Sequence, residues 1–127
     1  VRSGEHTLFA DEPASVGGLG TGLSPYELVS AGLAACTVMT MRLYANRKGF
    51  PLERASTTVQ HEKVPDMMPP DRFSRTIVLE GQLTDDQRAR IVEIADRCPV
   101  SLSLVRGSDV QTELSNAGRV ADLETVA

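Results

Sequence analysis

The stretch Ser24-Pro-Tyr-Glu-Leu-Val-Ser-Ala-Gly-Leu-Ala-Ala-Cys-Thr-Val-Met-Thr-Met-Arg-Leu-Tyr-Ala-Asn-Arg-Lys48 decides the fold. It predicts one long, mostly buried helix. Ser24 offers an N-cap oxygen, Pro25 suits the first helical position, and Glu27 completes an S-x-x-E capping box. At the far end Arg47 and Lys48 sit where the helix dipole favours cations, and Gly49 and Pro51 stop the run. Cys36 lies near the middle among Ala31, Gly32, Ala34 and Ala35, whose small side chains let other elements come close.

Downstream, Arg54 to Lys63 and Arg72 to Gly81 are two β-rich runs joined across Val64 to Asp71, the pattern of antiparallel strands with a long loop. Phe73, Ile77 and Leu79 share one face of the second run with Arg75. That guanidinium either snorkels at a sheet edge or serves as partner to a buried anion or thiolate. Met67 and Met68, between prolines, either cover an apolar pocket or form a mobile loop. Thr84-Asp-Asp-Gln87 is a second capping box, and Ile91, Ile94, Ala95 and Cys98 recur at helical spacing behind it. Pro99 ends that helix or opens a short new one through Leu104. Asp109 to Leu114 is expected as a last strand, with 116–127 a loosely held tail of a single domain spanning 1–127.

Upstream, His6 to Ala10 suggests a short strand. The loop to Leu23 holds Gly17, Gly18, Gly20 and Gly22 without the G-K-[ST] ending or G-x-G-x-x-G spacing of a phosphate cradle. A connection in which backbone passes close to the helix is the better reading. A chain of 127 residues, 41% hydrophobic, suffices for one core. With a net charge of -4, two Tyr, three Phe and no Trp, neither phosphate-backbone binding nor base stacking is expected. The longest apolar run, Leu28 to Met41, has 14 residues, short for a bilayer span. No signal peptide is expected, and two cysteines do not make a disulfide-rich secreted framework. The cytoplasm is the expected compartment.

Val29, Leu33, Cys36, Thr40 and Leu43 fall along one line of the first helix, as Cys98 does with Ile91 and Ile94 on the second. Both thiols, the chain's complete cysteine complement, are thus expected on inward faces, which favours a redox pair over two small core hydrophobes. A reactive thiol must be thiolate, and a free cysteine at about 8.5 is mostly protonated near neutrality. Cys36 lies beyond the useful first turn of its helix dipole, so a cation must come from elsewhere. Arg2, Arg42 and Arg75 are the open candidates. Cys98 is either the last residue of one helix or the N-cap of the next, and spacing does not rank the two thiols. Glu27 precedes Cys36 by nine residues, about 13.5 Å along the axis and on the opposite side. Its capping role accounts for it unless it reaches the site from a kinked first turn, through an arginine, or across a subunit interface. Cys36, Cys98, His6 and His61 could number four zinc ligands but lack metal-site spacing, so no metal is expected.

Gly17-Gly18, Gly22-x-Ser-Pro-x-Glu-Leu28, Ala34-Ala-Cys-Thr37, Tyr44-Ala, Lys48-Gly49 and Cys98-Pro-Val100 together resemble the OsmC/Ohr family of osmotically inducible and organic-hydroperoxide-resistance proteins. The resemblance runs from about Asp11 to Leu114. It implies an α+β fold, with antiparallel sheets around a long buried central helix and a second helix, in an intertwined homodimer. It further implies a thiol-dependent peroxidase for organic hydroperoxides that needs no cofactor and is recycled by an external dithiol reductant. Carried over by motif, Cys36 attacks the peroxide, Cys98 resolves the sulfenic acid as a disulfide, Glu27 assists, and Arg2 is the N-terminal arginine of the substrate site. Tyr26 stands where the hydroperoxide-resistance branch has Glu, and the context of Arg2 differs, which places the chain nearer the OsmC-like branch. The alternative is a binding module of that fold for a small apolar ligand, with the cysteines structural or redox-sensing.

Overall fold

The structure, a computed structural model, describes residues 1–115. The tail expected over 116–127 lies outside the described residues. In chain order the strands and helices are β1 (Arg2–Ser3), β2 (His6–Thr7), α1 (Pro25–Lys48), β3 (Arg54–Lys63), β4 (Asp71–Glu80), α2 (Asp85–Ala95) and α3 (Pro99–Arg106). They fall into two compact units, Val1–Pro25 with the described residues from Asp109, and Tyr26–Ser108.

In the larger unit β3 and β4 form one long antiparallel hairpin, its register running from Arg54 opposite Glu80 to Lys63 opposite Asp71. Alternate residues face inward, among them Val59 and His61 on β3 and Phe73, Arg75, Ile77 and Leu79 on β4. The period of two thus puts one arginine in line with three apolar side chains. The core is Met41 and Ala45 of α1, Leu52, and Ile91 and Ala95 of α2, with Val38, Phe50, Ile77 and Leu79 packed around it. At the hairpin's exit Gly81 has φ of 136°, and a Cβ there would lie 2.2 Å from the Pro51 carbonyl oxygen. Only glycine fits that crossing. Arg88 donates to the Leu79 and Gly81 carbonyls beside it, as Arg42 does to Leu52 and Glu53. α2 begins with the expected capping box, Thr84 and Gln87 exchanging side-chain and backbone bonds.

Three expectations differ from the structure. The buried stripe of α1 is Ser30, Leu33, Thr37, Met41 and Ala45, whereas Val29 and Leu43 are exposed and Cys36 is half-buried. Of its most apolar 18-residue window, with mean hydropathy 1.4, 22% is buried, and by length and composition this 24-residue helix could cross a membrane. The reason is one of coverage: a two-stranded hairpin and two short helices bury one stripe of a helix this long and leave Val29, Met39 and Leu43 outside. Next, Asp109 to Leu114 is not a strand. Val110 and Leu114 are 82% and 91% exposed, so the alternation there has no face to bury, and Gln111 bonds the Asp109 carboxylate instead. Finally, β2 stops at Thr7, and Ala10 makes only an isolated parallel bridge to Leu23.

In the smaller unit the glycine-rich loop is folded on itself. The Asp11 carboxylate accepts from the backbone of Glu12, Leu19 and Thr21 and from the Thr21 hydroxyl. A Cβ on Gly18 would overlap the Glu12 carbonyl oxygen, so the close approach serves the loop's own closure.

Candidate functional site

Cys98 is fully buried and is the N-cap of α3, with Pro99 in the first helical position. The two readings left open by the sequence are thereby separated: Pro99 opens a new helix. The Cys98 sulfur takes the place a Ser or Asp oxygen holds in most caps and accepts from the Ser101 N–H at 3.3 Å. Its second neighbour is the Thr37 hydroxyl of α1, 3.8 Å away. Thr37 is also fully buried, donates to the Leu33 carbonyl at 2.7 Å, and receives Arg75 Nη1 at 3.0 Å.

Arg75 gathers this region. Besides Thr37 it donates from Nη1 to the Ala95 carbonyl at 3.0 Å, and from Nη2 to Asp96 Oδ1 at 2.6 Å. Its side chain is 15% exposed and that of Asp96 77% exposed, so the pair joins an almost buried cation to a solvated carboxylate. A desolvated guanidinium needs such partners, and here they lie on α1, on the last carbonyl of α2 and on the turn before Cys98. Of the three candidate arginines, Arg42 is spent on backbone carbonyls and Arg2 lies in β1 of the other unit, donating to the Gly4 carbonyl. Arg75 is the one joined to the thiol region, and its inward register on β4 was the signal for it in the sequence. Thr37 gave no such signal, because a threonine on an apolar stripe reads as core.

Cys36 is the residue before Thr37, its Cα therefore about 3.8 Å from that of Thr37. Its thiol is half-buried and takes no hydrogen bond among the described residues. Glu27 is exposed in the first turn of α1, far along the helix from Cys36. His61 stacks on Tyr26, ring centroids 3.9 Å apart and planes 2° from parallel, meets the Phe73 ring at a tilt of 39° and pairs with Asp71 at 2.8 Å. This cluster pins the first turn of α1 to the hairpin. Among the described residues no group of His, Cys, Asp and Glu is arranged to hold a metal ion.

A cavity of about 760 Å³ opens between β4, the loop before it and α3. Leu33, Met68, Phe73, Leu104 and Val105 give it apolar walls, and Arg75 and Ser101 are among its polar lining. Of the two readings of the methionine-containing loop the pocket wall is the one the structure bears on: Met68 lines the cavity, while remaining 90% accessible.

This arrangement is that of a small α+β thiol protein. The family profile for OsmC-like proteins matches residues 18–113, and the chain belongs to that family. Among solved structures it is similar to an organic hydroperoxide resistance protein OsmC of Legionella pneumophila, with 27% identity and a TM-score of 0.62 over 80% of this chain and 75% of the other. An OsmC-like protein of Mycoplasma pneumoniae shares the fold, at 18% identity and a TM-score of 0.69 over 82% and 76%. An OsmC-like hydroperoxide resistance protein of Jannaschia sp. likewise shares the fold, at 18% identity and a TM-score of 0.54 over 75% and 68%. No curated protein sequence matches.

Proposed function

We propose that the chain is a cysteine-based peroxidase for organic hydroperoxides. The observation that supports it most is the seating of Cys98 against α1, its sulfur in contact with the residue that follows Cys36. In this reading the Cys36 thiolate attacks the outer peroxide oxygen, the O–O bond breaks, and the departing alkoxide takes a proton and leaves as an alcohol. Cys36 is then a sulfenic acid. The Cys98 thiol displaces its hydroxyl, water is lost and a Cys36–Cys98 disulfide forms. An external dithiol reduces that disulfide, is itself oxidised, and returns both thiols.

The apolar cavity suits an organic peroxide better than hydrogen peroxide. The exposed apolar face of α1, with Met39 71% and Leu43 53% accessible, is the surface a second copy would cover in the intertwined homodimer. Glu27 and Arg2 contribute to the site across that interface, and Arg75 is the cation that orders the thiol region from within. The protein acts in the cytoplasm.

The test is turnover of an alkyl hydroperoxide with a dithiol, comparing the parent with Cys36→Ser and Cys98→Ser. Loss of all peroxide consumption with the first, and a single round with the second, supports the roles; an inactive parent overturns the enzyme. The second reading, a binding module for a small apolar ligand, draws on the cavity alone. It predicts saturable binding of an apolar fluorophore by a protein without turnover.

A further inference from the structure

The proton inventory around Thr37 assigns this residue a part in the redox cycle. A threonine hydroxyl has one hydrogen and two acceptor positions. In the structure the hydrogen is drawn to the Leu33 carbonyl at 2.7 Å and one acceptor position is filled by Arg75. The remaining position faces the Cys98 sulfur at 3.8 Å, so with Thr37 so arranged the thiol hydrogen of Cys98 is the donor between them. A Cys98 thiolate has no hydrogen to give. Rotation of the Thr37 hydroxyl away from Leu33 then supplies a second donor to the sulfur beside the Ser101 N–H. Arg75 donates only, and its bonds to Thr37, Ala95 and Asp96 keep α1 and the turn before Cys98 in register while the hydroxyl turns.

We infer that the Thr37 hydroxyl is the switchable hydrogen-bond donor for Cys98 when its sulfur departs as a thiolate, and that Arg75 is the positioning residue that holds Thr37 for this task. The step is reduction of the Cys36–Cys98 disulfide proposed above, and the inference rests on that pairing. A thiolate of the external dithiol attacks the Cys36 sulfur, the S–S bond breaks, and its electron pair leaves on the Cys98 sulfur. The mixed disulfide on Cys36 is resolved by the dithiol's second thiol, and Cys98 later takes a proton from solvent.

The test uses the full chain, oxidised with diamide so that no peroxide chemistry is involved, and follows reduction by dithiothreitol under stopped flow. Thr37→Val slows the release of Cys98 about tenfold, the size of a lost hydrogen bond to a charged group, while Thr37→Ser keeps the parent rate. Arg75→Met gives a smaller loss, about threefold, that Arg75→Lys recovers in part. The rescue by serine and lysine is the reading that a purely structural role does not produce, and the thermal midpoint of each variant checks that it is folded. Parent-like reduction in Thr37→Val, or equal slowing in Thr37→Ser, overturns the inference, as does failure of diamide to join Cys36 to Cys98. A parent without peroxidase turnover whose diamide disulfide still shows this pattern leaves the inference standing and removes the peroxidase reading.

Discussion

The two cysteines sit in opposite kinds of surroundings. Cys98 is enclosed, capped by a backbone N–H, faced by a buried hydroxyl and held near an arginine that ties three segments together. Cys36 is half-buried in the middle of a helix, beyond the reach of its dipole, and has no hydrogen bond among the described residues. One sulfur is positioned by the chain around it, whereas the other borders the open face of α1. In the proposed cycle Cys36 is the thiol that meets the peroxide, and the enclosed Cys98 is the one that resolves its oxidised product. The contrast also explains why so much of the site's polar machinery surrounds the cysteine assigned the resolving step.

Replacing the nucleophile is the largest way to break this comparison. With the proposed roles, Cys36→Ser lowers hydroperoxide turnover by at least about a thousandfold, because Cys36 is the thiol that forms the sulfenic acid. Peroxide consumption in single-turnover and steady-state assays checks it; comparable loss of the first round in Cys98→Ser would reverse the assignment. Next in size is accessibility. A small thiol reagent such as methyl methanethiosulfonate modifies Cys36 at least about tenfold faster than Cys98, since Cys98 reacts only through opening of its surroundings. Peptide mapping of partly labelled protein reads the ratio.

The core of the larger unit can be loosened without touching the polar partners of Cys98. Ile91 is fully buried in α2, and Ile91→Ala costs about 2–5 kcal/mol of stability by urea unfolding. It also narrows the labelling ratio, because Cys98 is then exposed more often. The smallest effect lies outside this region. The Thr21 hydroxyl, with the Thr21 and Leu19 N–H groups, holds the Asp11 carboxyl below its usual range. A depressed folded value means that this contribution is present above the ordinary carboxylate value of about 3.9 and is lost as pH falls through the folded one. Amide-exchange protection at Leu19 and Thr21, taken relative to the intrinsic rate at each pH, therefore falls in acid, and Asp11→Asn shows the lower protection at neutral pH with no change in the labelling of either cysteine.

Much of the fold was legible in the sequence because its signals are local. Capping residues bound α2, Pro25 and Gly49 bound α1, and the period of two in Phe73, Arg75, Ile77 and Leu79 gave β4 its inward face. The Cys98-Pro99 pair left two helices possible, and the cap geometry chose between them. What misled was the angular placement of α1. Its composition is apolar almost all round, so periodicity carries little phase information, and the line through Cys36 looked as fit for the core as the line through Thr37. The contacts of Arg75 were equally hidden. Alternation placed it inward, but its partners Thr37, Ala95 and Asp96 come from distant segments that only packing brings together.

Oxidation of the reduced protein with one equivalent of an alkyl hydroperoxide, followed by non-reducing peptide mapping, tests the division of labour most directly. The expected products are a Cys36–Cys98 disulfide in the parent and a dimedone-trapped sulfenic acid on Cys36 in Cys98→Ser. A sulfenic acid on Cys98 in Cys36→Ser, or a parent whose two thiols stay reduced, would contradict it.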